Sequence, residues 1–139
     1  MDSEDGIATL LRDRAAALRA RDAAAFLAGY LPEARIFDLA PPLAHGPDEP
    51  EIAAWMASWD GPIGSEIAQL SVCGTGDLAL VHGLERLHGR QGGAERDVWM
   101  RLTLALVRRP DGWRISHEHV SLPVAKTGAG LVALVTLRP

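Results

Sequence analysis

The hydrophobic period of this chain changes partway along, and that change limits its possible folds more than any other feature. From Ile7 to Leu31, the residues Ile7, Leu10, Leu11, Leu18, Phe26, Leu27 and Tyr30 recur every three or four positions with alanines between them, the pattern of a long amphipathic helix. Asp22 is expected to cap a second helical segment after a break at Arg21, and Pro32 closes the region. From Glu66 onward the period is two, which predicts strands at 66–73, 78–88, 98–108 and 113–122. Gly74-Thr75-Gly76-Asp77, residues 89–93 and Pro110-Asp111-Gly112 separate them, all with turn chemistry. Between the two regimes lie a short strand, 35–39, ended by Pro41-Pro42, and a polar loop, 44–51. A short helix, 51–59, follows with Ile52, Trp55, Met56 and Trp59 on one face and Gly61-Pro62 after it. A further strand is expected at 131–137. A helix, a strand, a short helix and then an antiparallel meander make an α+β domain with helices on one face of the sheet.

The 139 residues are expected to form one domain, with a core over about 7–123 and a tail at 124–139. A chain this long buries enough surface to fold without a metal or a disulfide. Cys73 is the only cysteine, so no internal disulfide forms and a reducing compartment is expected. The acidic, polar start lacks signal-peptide character, and no apolar run approaches a membrane span, so the expected location is cytoplasmic with no membrane partner. A net charge of −4 argues against nucleic acid as a partner. Arg12, Arg14, Arg19 and Arg21 interleave with Asp13 and Asp22, which reads as a solvated helix face.

The order of elements, together with the stretch from Tyr30 to Asp38, the Trp55/Trp59 helix and the run from Trp113 to His119, resembles the SnoaL-like branch of the nuclear transport factor 2-like superfamily. Ketosteroid isomerase, scytalone dehydratase and polyketide cyclases belong to that superfamily. The resemblance covers about residues 7–123. It implies a cone-shaped, cystatin-like α+β fold, in which a curved antiparallel sheet wraps a long N-terminal helix and forms a pocket on its concave face. It does not fix a reaction.

By that resemblance Asp38 falls where ketosteroid isomerase carries its general base, although an Asp ending a strand before a proline also reads as a simple turn cap. His82, mid-strand among Leu78, Leu80 and Leu84, matches a catalytic histidine of scytalone dehydratase; its bland alternative is a satisfied core histidine. His117 and His119 share alternation with Trp113 and Ile115, so they are expected to face inward if that pair does. Asp38, His82 and His117 are thus the expected catalytic group, and Tyr30, Trp55, Trp59, His119, Leu80 and Leu84 the expected substrate wall. The histidine spacing carries no metal-ligand signature, and neither metal nor cofactor is expected. Glu85, Arg101 and Glu118 are assigned to the opposite, convex face as a cross-strand charge ladder, with Trp99 and Thr103 beside them. The resemblance implies a homodimer through that face.

At the places where ketosteroid isomerase sets its oxyanion-stabilising tyrosine and second acid, this chain has Arg14 and about Leu104, so steroid isomerisation is not expected. The leading functional expectation is a cofactor-independent isomerase, cyclase or dehydratase acting on a small hydrophobic carbonyl compound. The alternatives are a non-catalytic small-molecule-binding domain and a structural dimerisation domain.

Overall fold

The computed structural model describes residues 3–139. Helix α1 (Ser3–Ala20) places Ile7, Leu10, Arg14, Ala17 and Leu18 on its buried stripe. The chain breaks at Arg21, whose φ of 53° lies in the left-handed region. Asp22 then caps the short helix α2 (Ala23–Leu27), accepting from Ala25 N at 3.0 Å. The break and its cap match the sequence reading. Strand β1 (Tyr30–Phe37) begins earlier than expected, since Tyr30 and Leu31 already extend along the sheet edge. Helix α3 (Glu49–Ala57), capped by Asp48, covers one end of the sheet.

Strands β2 (Gly64–Thr75), β3 (Leu78–Gln91), β4 (Ala94–Arg109) and β5 (Gly112–Ser121) form the meander. The five-stranded sheet runs β1-β5-β4-β3-β2, with β1 parallel to β5 and every other pair antiparallel. Two irregularities bend it. In β2, two residues, Gln69 and Leu70, stand against Gly83 alone, and Gln69 has a φ of 54°. Gly83 permits this approach, because a Cβ there would meet Ile67 Cγ2 at 2.8 Å and Ala68 O at 3.0 Å. In β5, Ile115 pairs with Leu106 and His117 with Ala105, so Ser116 is the extra residue of a bulge. Each bulge increases the local twist, and the sheet curves around α1.

The core lies between α1 and the concave face, where Val81, Leu102, Leu104, Leu106 and Ile115 are almost wholly buried. The expected tail strand is instead a hairpin, β6 (Val124–Thr127) and β7 (Gly130–Ala133), paired as its own two-stranded sheet. It leaves Val124, Leu131 and Val132 exposed. No helix among the described residues is long and apolar enough to cross a membrane.

Candidate functional site

The concave face, α1 and α3 enclose a cavity of about 380 Å³. That volume lies at the small end of the range for small-molecule sites. Its walls are apolar: Leu18, Phe26, Ile36, Leu87, Met100 and Val120, with Trp55 and Trp59 from the α3 side. The two indoles meet edge to face at 5.9 Å. Trp59 Nε1 is buried with no hydrogen-bond partner among the described residues.

The polar end of the cavity is built around Arg14, which occupies the helical position between Leu10 and Leu18 and so enters the core with them. Its Nη1 donates to Glu85 Oε2 at 2.5 Å, and its Nη2 to Glu118 Oε1 at 3.1 Å. Weaker bonds at 3.4 Å run from Nη2 to Glu85 Oε1 and from Nε to the Tyr30 hydroxyl. Tyr30 in turn donates to Glu118 Oε1 at 2.5 Å, and Ser65 Oγ donates to Glu85 Oε2 at 2.9 Å. Arg14, Glu85, Glu118 and Tyr30 are all buried. Burial works against the Arg14 charge, but Glu85, Tyr30 and Glu118 outweigh it and hold the guanidinium well above its ordinary range. For Tyr30, burial and then the Glu118 charge push the phenol well above its ordinary value, with Arg14 partly opposing them.

The two carboxylates are not equivalent. Glu85 engages both of its oxygens. Glu118 takes both of its hydrogen bonds on Oε1, and Oε2 takes none among the described residues although Glu118 lines the cavity. One carboxylate is therefore spent on holding Arg14, and the other is fixed in orientation with an oxygen to spare.

A second polar pair sits at the mouth. Asp38 lines the cavity with its side chain 43% exposed, and accepts from the backbone N–H of Leu39 at 2.8 Å. Its Oδ2 lies 3.5 Å from His45 Nε2. His45 comes from the loop after β1 and is fixed by reciprocal backbone bonds with Ile36 at 2.8 and 3.0 Å. Its Nδ1 lies 2.8 Å from the Gly46 carbonyl, an acceptor, so this nitrogen carries the proton and Nε2 is the end that faces Asp38. His45, Ile36 and Glu118 lie side by side in one cross-strand row. Two strand spacings put His45 and Glu118 roughly 10 Å apart at the backbone.

The sequence-predicted residues divide between the two faces. Asp38, Trp55 and Trp59 line the cavity, and Tyr30 belongs to its polar end. His82, His117, His119, Leu80 and Leu84 do not; they lie on the convex side, so the expected convergence of Asp38 with His82 and His117 does not occur. On β3 the inward set is Ala79, Val81, Glu85 and Leu87, and both faces of that strand are apolar enough to mislead. On β5 the Ser116 bulge reverses the alternation: Trp113 and Ile115 point inward before it, Glu118 and Val120 after it. His117 packs on Phe37 at 4.7 Å and takes up the Arg35 carbonyl, with His119 beside the same ring at 5.3 Å. The convex charge ladder is corrected with them. Glu85 pairs in register with Met100, and Glu118 with Leu104, both inward, while Arg101 lies on the outer face bonded to Ser121 Oγ at 3.0 Å. Arg14, assigned to a solvated surface, is the centre of the buried cluster.

Sequence alone missed Arg14, Glu85, Glu118 and His45. The first was legible as a cation at an apolar helical position; His45 carried no signal, since only the fold brings its loop beside Ile36.

A family model described as SnoaL-like domain matches residues 7–125. Among solved structures, an NTF2-like protein of unknown function from Pseudomonas putida KT2440 is 32% identical, with 98% of this chain and 96% of that chain covered and a TM-score of 0.84. A provisionally assigned dehydratase of the NTF2-like family from Streptomyces avermitilis shares 19% identity over 88% and 97% of the two chains, at a TM-score of 0.76. A provisionally assigned scytalone dehydratase from Novosphingobium aromaticivorans shares 10% identity over 98% and 95%, also at 0.76. No curated protein matches in sequence.

Proposed function

The chain belongs to the family of SnoaL-like domains, and from that premise we propose that it is an acid–base enzyme acting on a small, mainly apolar carbonyl compound, with Glu118 as the base. The observation that carries this reading is the asymmetry of Glu118. Tyr30 and Arg14 hold one oxygen and leave the other open in an apolar cavity. A base held in one orientation acts without a search, which is the condition for effective proton abstraction.

In the proposed reaction Glu118 Oε2 removes a proton from the carbon next to the carbonyl. The electron pair of that C–H bond moves into the new C=C bond, and charge builds on the carbonyl oxygen. His45, when protonated, gives its Nε2 proton to that oxygen, and Asp38 at 3.5 Å forms an ion pair with the ring in that state. As the carbonyl re-forms, the enol proton returns to His45 Nε2. Delivery of the Glu118 proton to a different carbon then completes an isomerisation. In a dehydration the β-hydroxyl takes the returned His45 proton and leaves as water, and the proton on Glu118 passes to solvent. Trp55, Trp59 and Ile52 supply the apolar wall. The fold likeness to the two dehydratase-assigned structures is compatible with the second course. The outer sheet face, with Phe37, Leu78 and Leu80 exposed, supports a homodimer as part of the same reading.

The test is deuterium exchange. The protein is incubated in deuterated buffer with cyclohexanone, 2-cyclohexenone or 3-hydroxycyclohexanone, and loss of the α-proton signals is followed by NMR. The expected result is exchange or elimination faster than buffer, reduced at least about 100-fold by Glu118→Gln, in line with the usual contribution of a positioned base. Saturable binding without accelerated exchange would replace this reading with a non-catalytic binding domain.

A further inference from the structure

The charge balance of the cavity bears on which molecules it admits, an inference that rests on the reading of Glu118 as an open carboxylate. Four carboxylates line it, Asp38, Glu51, Glu85 and Glu118, against two guanidiniums, Arg14 and Arg96, which leaves −2, or −1 when His45 carries its second proton. At the buried end the balance is one cation, Arg14, against Glu85 and Glu118. That cation is already engaged. Its Nη1 and Nη2 serve the two glutamates, its Nε faces the Tyr30 hydroxyl, and the Phe26 ring stacks at 5.3 Å from its Cζ. Arg96 is exposed and donates to Gln91 at 3.3 Å. An incoming carboxylate would therefore meet a net negative surface with its deep counter-ion taken. A donor meets the reverse: Glu118 Oε2 is an acceptor lacking a partner in a side chain that is 8% exposed. A ligand that supplies a hydrogen bond to that oxygen gains a charge-assisted contact in a largely buried site.

We infer that the cavity sorts ligands by charge: it takes a small apolar molecule whose polar end is a hydroxyl or an ammonium group donating to Glu118 Oε2, and it excludes carboxylates of the same skeleton. The proposed substrates are thereby narrowed to hydroxy-carbonyl or ammonium-bearing carbonyl compounds that carry no carboxylate.

Three probes of one shape decide it: cyclohexylamine, cyclohexanol and cyclohexanecarboxylate. Each is titrated into the full chain at neutral pH, read by tryptophan fluorescence, since Trp55 and Trp59 line the cavity, and independently by saturation-transfer NMR. The amine and the alcohol are expected to bind, and the carboxylate to bind at least about tenfold more weakly than the amine, in keeping with the cost of like-charge juxtaposition. Glu118→Gln is expected to reduce the amine-to-carboxylate ratio about tenfold. His82→Ala, on the convex face, leaves the cavity charges in place and is expected to leave the ratio within about threefold; if the glutamine variant does not fold, the amine-to-carboxylate ratio of the unaltered protein decides alone. A carboxylate that binds as well as the amine, a ratio unmoved by Glu118→Gln, or no binding by any probe overturns the inference. Deuterium exchange separates its failure from that of the catalytic reading, because charge preference is read from affinity and catalysis from turnover.

Discussion

The two faces of one sheet treat polar residues in opposite ways. On the concave face Glu85 and Glu118 are buried among Val81, Leu102 and Leu104, and each is bonded to Arg14. On the convex face His82 and His119 are exposed and His117 is half-buried on Phe37. A charge in the interior has to be partnered, and the partnership fixes its geometry; a histidine outside costs little and fixes little. The difference teaches where to look for chemistry in this chain: at the polar residues the fold has been forced to accommodate, and not at those whose type is merely familiar from active sites.

The largest effect is expected at Arg14. Arg14→Met leaves two buried carboxylates without their cation, and loss of about 3–5 kcal/mol is expected. For a chain of this size that is a fall in Tm of roughly 10–20 °C, measured by circular dichroism. A change under about 3 °C would mean that the cluster is not a unit. Next comes Glu118→Gln, expected to cut α-proton exchange at least about 100-fold while secondary structure is kept. His45→Gln sharpens the mouth's role, with an expected loss of about tenfold in exchange and little change in Tm; an unchanged rate would confine the chemistry to the buried end.

Tyr30 allows a cleaner check, because it is the only tyrosine. Its phenol is pushed well above the ordinary value by burial and the Glu118 charge. Absorbance at 295 nm should therefore show no tyrosinate at pH 10 in the folded protein, and an ordinary titration near 10 after unfolding in urea. The sign follows directly. The unfolded state loses its proton first, so the contribution of Tyr30 to stability is whole below about pH 10 and declines above it. A folded-state midpoint near 10 would place Tyr30 outside the cluster. The smallest effect is expected on the outer face, where His82→Ala should change stability by less than about 0.5 kcal/mol.

Much of the fold was legible in the sequence. The change of period separated helix from sheet, the break at Arg21 and the Asp22 cap divided the two N-terminal helices, and glycine- and proline-rich turns set off the strands. Trp55 and Trp59 were placed on the cavity because a helical stripe of large apolar residues has only one face to bury. Beyond Tyr30 and Asp38, the polar half of the site was not legible, for two physical reasons. A bulge at Ser116 adds one residue and turns every later side chain of β5 to the other face, which local alternation cannot foresee. On β3, Leu78, Leu80 and Leu84 outweigh Ala79 and Val81 in size, so hydrophobicity pointed to the wrong side. Arg14 was the missed clue: a cation at the helical spacing of Leu10 and Leu18 must be buried if they are.

The central claim is that proton transfer belongs to the concave face and not to the convex histidines. It is tested most directly by measuring α-proton exchange for Glu118→Gln beside a double variant, His82→Ala with His117→Ala, at equal protein concentration. The account predicts exchange near the buffer rate for the first and within about twofold of the unaltered protein for the second. Exchange lost in the double variant but retained in Glu118→Gln would contradict it.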